Sequence, residues 1–180
     1  MATLAGLTRT PRTPPNIEER KQSPMNLAEI IDARAVLPHV KAQNKKQLLQ
    51  ELSQAMAGMV AVDHRIIFET LLTREKLGST GLGQGIAIPH GRLPNITRVY
   101  GLFAKLTAPV AYDSVDGEPV DLVFVLLSPD HAGADHLTAL ARISRLLRQP
   151  GTMAKLRGTA TAEGLYAILT EPTATATAAA

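Results

Sequence analysis

The 180-residue sequence has no cysteine and no tryptophan, and its aromatic content is only 3%. Without cysteine the chain cannot form disulfides, thiolate metal sites or thiol nucleophiles, and we expect a cytoplasmic protein. It also lacks any run of about 18 apolar residues, so we expect no membrane insertion. The net charge of +3 is weak, and few side chains are available to stack on bases. Nucleic-acid binding is therefore not expected.

Hydrophobic residues make up 45% of the chain, which is enough to build the core of one domain. The two ends differ from the rest in composition. Residues 1–24 are rich in Pro, Thr and Arg, and residues 171–180 are mostly Ala and Thr. Both ends have too little to bury, so we predict disordered tails around a single domain at residues 25–170.

Within this domain, helical and strand patterns alternate along the chain. Asn44 with Gln47 resembles a capping box before a helix, and Asp63 is a candidate N-cap for a second helix. A third helix is predicted from apolar residues spaced three or four apart, at Leu137, Leu140, Ile143 and Leu147. Short helices are predicted at 152–156 and 162–169, and strands at 86–88, 99–106 and 122–127. This alternation predicts a layered α/β domain.

The segment from Gly78 to Arg92 contains five glycines, at positions 78, 81, 83, 85 and 91. Glycines at this density allow positive φ or a close backbone approach. They do not form a dinucleotide-binding fingerprint, because their spacing is Gly-x-Gly-x-Gly and a strand follows instead of a helix. No Gly-Lys-Ser/Thr triplet is present, so a nucleotide-phosphate loop is also excluded. The pattern indicates a tight loop followed by a short strand.

His90 lies between Pro89 and Gly91, just past this strand, where its side chain is expected at the rim of the sheet. A neutral imidazole has one unprotonated nitrogen and can act as a nucleophile. The position alone leaves two interpretations open, and a rim histidine without a chemical role is the commoner one.

Other chemically active side chains are given structural interpretations. A set of metal-ligand types lies on one Gly-containing loop without a second ligand cluster, so a solvated loop is expected and no metal or cofactor is predicted: Asp130, His131, Asp135 and His136. Two carboxylates flank a turn in this region and are interpreted as turn formers, Asp113 and Asp116. The remaining histidines, His39 and His64, are expected to be structural or exposed.

As a whole, the segment LTREKLGSTGLGQGIAIPHGR closely resembles the active-site segment of the phosphotransferase-system enzyme IIA proteins of the fructose/mannitol class (type 2). The similarity is nearest to their nitrogen-regulatory branch, enzyme IIA-Ntr. It extends from about Met25 to about Glu171, and includes the segment PVDLVFVLL and the His136-Leu137 pair. The fold implied by this resemblance is a single layered α/β domain, with a mixed β-sheet flanked by helices on both faces.

The resemblance also implies roles for individual residues. His90 matches the histidine that is phosphorylated on Nε2 by an HPr-like carrier protein, Arg74 matches an arginine beside it, and His136 matches a second histidine close to it. Without the resemblance, Arg74 is equally well a solvated cation at a helix end, and His136 a partly buried cap residue. A hydroxyl from Ser79 or Thr80 is a further candidate donor to the phosphoryl group.

The implied function is that of a phosphoryl carrier, not of an enzyme that turns over a small molecule. Phosphate would pass from phosphoenolpyruvate through the HPr-like protein to His90, and the phosphorylation state would regulate nitrogen- and potassium-related target proteins. The alternatives are a sugar-transport enzyme IIA that passes phosphate to an enzyme IIB, and an interaction module that is not phosphorylated.

Overall fold

The structure is a computed structural model that describes residues 26–172. The predicted N-terminal tail, and all but the first two residues of the C-terminal one, lie outside this range. The described residues form six helices: Leu27–Ile30 (α1), Lys45–Val60 (α2), His64–Lys76 (α3), Gly133–Leu147 (α4), Pro150–Gly158 (α5) and Ala162–Thr170 (α6). They also form six strands: Ile31–Val40 (β1), Gly81–Gly83 (β2), Ile86–Ala87 (β3), His90–Leu93 (β4), Tyr100–Val110 (β5) and Val120–Pro129 (β6). Among residues 26–172, none of the helices combines the length and the hydropathy that a membrane span requires.

The first two predicted helices are confirmed, and each begins at the predicted cap. The side-chain oxygen of Asn44 accepts the N–H of Gln47 at 2.9 Å, and the carboxylate of Asp63 accepts the N–H of Arg65 at 2.8 Å. The capping box is incomplete, because the Gln47 side chain accepts the N–H of Gln43 and not that of Asn44. Each cap satisfies a backbone donor that the helix cannot use itself.

One mixed sheet organises the domain, in the strand order β1-β5-β6-β3-β2, with β4 also paired to β6. Strand β6 is antiparallel to β5 and parallel to β3 and β4. Residues 122–128 of β6 are all fully buried. Successive side chains of a strand point to opposite faces, so both faces of the sheet are covered there. The predicted fold class, a mixed sheet with flanking helices, is confirmed.

The face of α4 that packs on the sheet differs from the prediction. The predicted inner residue Leu137 is 65% exposed, and Leu140 is only partly buried. The inner face contains Ile143 and Leu147 as predicted, together with three residues one position before predicted ones: His136, Ala139 and Leu146. Ile143 and Leu147 fit both stripes, and this is why apolar spacing alone could not identify the register.

Candidate functional site

His90 follows β3, as the sequence predicted, but it is also the first residue of a further short strand, β4, that was not predicted. Its backbone pairs with Leu126 of the central strand β6, and its side chain is half-buried. Pro89 separates β3 from β4, and its carbonyl accepts the N–H of Leu126 at 3.0 Å. Because both short strands bond to β6, the ring of His90 is fixed relative to the core of the domain.

The hydrogen bonds of the His90 ring assign its tautomer. Nδ1 lies 2.8 Å from the carbonyl oxygen of Ile88, which can only accept, so Nδ1 carries the proton. Nε2 therefore holds the lone pair, and it accepts the Nε–H of Arg74 at 3.1 Å. Partial burial lowers the pKa of His90 below its ordinary value, the Ile88 hydrogen bond opposes this shift, and the charge of Arg74 adds to it. The lowered pKa favours the neutral ring, whose lone pair lies at Nε2.

Arg74 lies in the last turn of α3 and makes two contacts at once. Its Nε donates to His90, and its Nη1 donates to the carbonyl of Gly78 at 2.9 Å. The second contact binds the chain just beyond the helix end, as expected for a helix-end cation. The first contact places a guanidinium, a forked and permanently charged donor, directly at the lone pair of the histidine. The structure therefore combines the two interpretations of Arg74.

His136 lies beside His90, with the two ring centroids 5.5 Å apart. It is in the first turn of α4 but does not cap it, since the N-cap is Ala132 and the ring points into the core, where it is 5% exposed. Its Nδ1 lies 2.6 Å from the hydroxyl of Ser128, a residue that the sequence did not single out. Burial lowers the pKa of His136 to about 4, and repulsion from a protonated His90 and from the charge of Arg92 contributes.

The tip of the glycine loop has an unusual backbone that neighbouring side chains hold in place. Gly83 and Gly85 have φ of 91° and 78°, and Gln84 between them has φ of 56°. The carboxylate of Asp116 accepts the N–H of Gln84 at 2.8 Å, and Arg157 donates to the backbone carbonyl of Gln84 at 2.6 Å. The hydrogen bond to Gln84 is the main cause that lowers the pKa of Asp116. Asp116 is therefore a turn former, as predicted, that also anchors the loop.

Two further glycines are needed for close packing and not for their φ angles. A Cβ on Gly91 would lie 2.5 Å from Cγ2 of Thr70, and a Cβ on Gly81 would lie 2.5 Å from the hydroxyl oxygen of Ser114. Gly91 therefore lets α3 approach β4, and this approach brings Arg74 to His90. Both functions that the sequence predicted for the glycines, positive φ and close approach, occur in the segment.

A buried polar network beneath the loop was missed by the sequence analysis. Glu75 is buried, and its carboxylate accepts the ammonium of Lys45 at 2.7 Å and the backbone N–H of Thr80 at 2.9 Å. The Thr80 hydroxyl donates to the same carboxylate and contacts the hydroxyl of Tyr112 at 3.1 Å. Burial, with help from the Glu75 charge, raises the pKa of Tyr112, so its hydroxyl stays protonated.

The hydroxyls of Ser79 and Thr80 are committed to these structural contacts. Ser79 donates to the carbonyl of Tyr112 at 2.9 Å, and Thr80 is bonded to Glu75. The geometry gives them a role in fixing the loop, and it does not direct either hydroxyl to His90. Only neighbouring positions in the sequence had suggested them as donors.

The remaining candidates are placed apart from this cluster. Asp113 adopts a positive φ of 55° and contacts Lys45 at 3.5 Å. His39, His64, Asp130 and Asp135 are exposed. Across residues 26–172 there is no group of three or more side chains suited to hold a metal ion. The groups beside the His90 ring are the guanidinium of Arg74, bonded to Nε2, and the imidazole of His136, whose centroid is 5.5 Å away.

Comparison with known proteins supports a family assignment for this site. Residues 29–171 match the family described as phosphoenolpyruvate-dependent sugar phosphotransferase system, EIIA 2. The nitrogen regulatory protein of Bradyrhizobium diazoefficiens is 50% identical over 152 residues, which cover 84% of this chain and 99% of the relative. The crystal structure of nitrogen regulatory protein IIA-Ntr from Neisseria meningitidis has a TM-score of 0.77 at 38% identity, covering 80% of this chain and 99% of that one.

A more distant relative belongs to a sugar-transport system. The fructose-specific EIIABC component of Bacillus subtilis is 32% identical over 125 residues, which cover 68% of this chain and 20% of the relative. The family match and the relatives agree with the resemblance of the glycine-rich segment. The chain therefore belongs to the EIIA 2 family of the phosphoenolpyruvate-dependent phosphotransferase system, a family of phosphoryl carriers, and is similar to its nitrogen regulatory proteins.

Proposed function

We propose that this chain accepts a phosphoryl group on Nε2 of His90 from the phosphohistidine of an HPr-like carrier protein. The supporting observation is the hydrogen bonding of the His90 ring, which places the proton on Nδ1 and the lone pair on Nε2. A neutral imidazole with an available lone pair is the form that attacks phosphorus. The lowered pKa of His90 increases the fraction in this form at neutral pH.

The proposed transfer is a displacement at phosphorus. The bond between Nε2 of His90 and phosphorus forms while the bond between phosphorus and the donor histidine breaks, and the electron pair of the broken bond stays on the donor imidazole. Arg74 must first release Nε2, because its Nε–H occupies the lone pair before transfer. Its contact with the Gly78 carbonyl keeps the guanidinium beside the site, where it can neutralise the phosphoryl oxygens.

The charges around His90 favour a dianionic group. Arg92 is exposed two residues further along β4, and its charge is among the causes that lower the pKa of His136. The one buried carboxylate next to Arg74, that of Glu75, is already paired with Lys45. Transfer of a phosphoryl group depends mainly on positioning and on electrostatic stabilisation of this kind.

Exposed apolar side chains next to the site support a protein partner over a small molecule. Leu77 follows the turn that carries Arg74 and is 82% exposed, and Leu137 follows His136 and is 65% exposed. A phosphoryl group on His90 would add about −1.5 to −2 charges to this surface, which would change the set of proteins that dock there. We propose that this change regulates nitrogen- and potassium-related target proteins in the cytoplasm. The names of the relatives support the nitrogen-regulatory part.

The alternative is that His90 passes its phosphoryl group to an enzyme IIB in sugar transport. The similarity to the EIIABC component favours this function, although the identity is 32%, against 50% to the nitrogen regulatory protein. The two functions share the chemistry of His90 and differ in the acceptor. Mixing the phosphorylated protein with candidate enzymes IIB separates them, because only the transport function predicts loss of phosphate to such an acceptor.

The proposal is tested by incubating the protein with phosphoenolpyruvate, an enzyme I and an HPr-like carrier, followed by intact mass measurement. We expect a gain of one acid-labile phosphoryl group in the unmodified protein and in His64→Ala, a control that removes an exposed histidine of α3. We expect no gain in His90→Ala. A protein that gains no phosphate would instead be an interaction module, and a full gain in His90→Ala would refute the assignment of His90.

A further inference from the structure

The site contains two histidines whose rings are neighbours, yet the proposed function needs only one of them as nucleophile. Their centroids are 5.5 Å apart and the ring planes are inclined by 52°. Either neutral imidazole offers one lone pair and one N–H, and which nitrogen holds which is decided by the hydrogen-bond partners. For His90 the Ile88 carbonyl decides it. For His136 the corresponding partner is a buried hydroxyl.

Ser128 lies on β6, is 0% exposed, and its Oγ is 2.6 Å from Nδ1 of His136. This is the one hydrogen bond that the Ser128 hydroxyl makes within residues 26–172. If the hydroxyl donates to Nδ1, its proton is satisfied and His136 is protonated on Nε2. If Nδ1–H donates to the hydroxyl instead, the hydroxyl proton is left in the core without an acceptor. Buried donors without acceptors are strongly disfavoured, so the first arrangement is the stable one.

We propose that Ser128 is a positioning residue that holds His136 in the tautomer with its proton on Nε2. The lone pair of His136 then lies on Nδ1, where the hydroxyl occupies it inside the core. The two neighbouring rings thereby have opposite tautomers, with the proton on Nδ1 in His90 and on Nε2 in His136. Each ring contacts the core through Nδ1, His90 at the Ile88 carbonyl and His136 at the Ser128 hydroxyl. Only His90 has its lone pair on the other nitrogen, Nε2.

The consequence for phosphoryl transfer rests on the proposed function of His90. An Nε2–H on His136 is a hydrogen-bond donor available to an oxygen of the phosphoryl group, whereas a lone pair at the same nitrogen would repel it. The same tautomer prevents His136 from competing as acceptor, because its only lone pair is bonded to the fully buried hydroxyl of Ser128. The lone pair of His90 is bonded instead to Arg74, which releases it in the proposed transfer. One buried hydroxyl thus makes one histidine a donor and leaves the other as the nucleophile.

The tautomer can be measured without phosphorylation, by long-range ¹H–¹⁵N NMR of the imidazole nitrogens at neutral pH. We expect Nε2 of His136 to resonate as a protonated nitrogen and Nδ1 as a hydrogen-bonded, unprotonated one, while His90 shows the reverse. A His136 spectrum with the proton on Nδ1 would overturn the proposal, with no variant needed. If His90 accepts no phosphate, the proposed function fails while this measurement remains valid.

The role of Ser128 is tested with Ser128→Ala. In this variant the Nδ1 resonance of His136 is expected to move toward the average of the two tautomers, and an unchanged resonance would contradict the proposal. The matched control is Ser53→Ala, which removes another fully buried serine hydroxyl, bonded to the Leu49 carbonyl at 2.6 Å in α2, and should leave His136 unchanged. If the tautomers become equally populated, half of the molecules retain the donor, and phosphorylation of His90 should slow about twofold. An unchanged rate would overturn the donor role of His136 Nε2–H.

Discussion

Removing the cation that pairs with Glu75 is expected to destabilise the domain strongly. The Lys45 ammonium lies 2.7 Å from the carboxylate, whose side chain is 4% exposed, while the Lys45 side chain is 21% exposed. Lys45→Met keeps most of the stem and leaves the carboxylate buried with neutral donors alone, the N–H and hydroxyl of Thr80 and the Tyr112 hydroxyl at 3.4 Å. Breaking a buried pair in this way lowers the free energy of unfolding by about 3–5 kcal/mol, and because Lys45 is partly exposed we expect a loss of about 3 kcal/mol. For a domain of this size that corresponds to a fall in Tm of about 6–12 °C.

The assay is urea unfolding followed by a double-mutant cycle with Glu75→Gln. The double variant should recover part of the lost free energy of unfolding, because it no longer buries an unpaired charge. A matched control is Lys155→Met, since Lys155 lies 3.8 Å from Glu171 and both side chains are more than 60% exposed. It should cost less than about 1 kcal/mol. If Lys45→Met lowered the free energy of unfolding by no more than Lys155→Met does, or if the double variant recovered nothing, the reasoning would be refuted.

Three further results are expected. Arg74→Ala should slow phosphorylation of His90 by about 10²-fold in rapid-quench measurements without unfolding the domain, and Arg74→Lys should restore only part of the rate. Loss of the fold in Arg74→Ala would favour a purely structural role for this residue. Gly91→Ala should lower the free energy of unfolding by about 1–3 kcal/mol because its new Cβ would collide with Thr70, whereas Gly58→Ala, on an open face of α2, should raise it by about 0.4–1 kcal/mol. Equal effects of the two substitutions in urea unfolding would contradict the packing argument. The pKa of His136 is about 4 in the folded protein, against an ordinary value of 6.5, so the unfolded chain binds the proton more readily, and about 3 kcal/mol of stability is lost as the pH falls through this window. His136→Gln should remove that part of the pH dependence in urea titrations at several pH values. Parallel profiles for the two proteins would argue against this.

Elements governed by neighbouring residues were predictable from the sequence. The caps Asn44 and Asp63 act on backbone groups two or three positions away, so the starts of α2 and α3 could be located. The run 122–127 has six apolar residues, with β-branched and aromatic side chains among them, and it proved to be the buried centre of the sheet. Strand β1 was missed, because its burial does not alternate and Pro38 lies within it.

The chemistry of the site depended on contacts between distant parts of the chain. The glycine pattern drew attention to His90, but only the family resemblance predicted that Arg74 and His136 lie beside it. Glu75 stands between two cations in the last turn of α3, and its partner Lys45 lies on the preceding helix, so the sequence alone does not reveal the pair. Ser128 carries no signal as a single serine in an apolar strand. Its importance appears only when the fold places it against His136.

The most direct test of this account is to locate the phosphoryl group on the protein by ³¹P and ¹⁵N NMR of the imidazole rings. The hydrogen bonds of His90 predict a single bond from phosphorus to Nε2 of His90, with the proton on Nδ1 still facing the Ile88 carbonyl. A phosphoryl group on Nδ1 of His90, or on His136, would contradict the tautomer assignment from which the mechanism is derived.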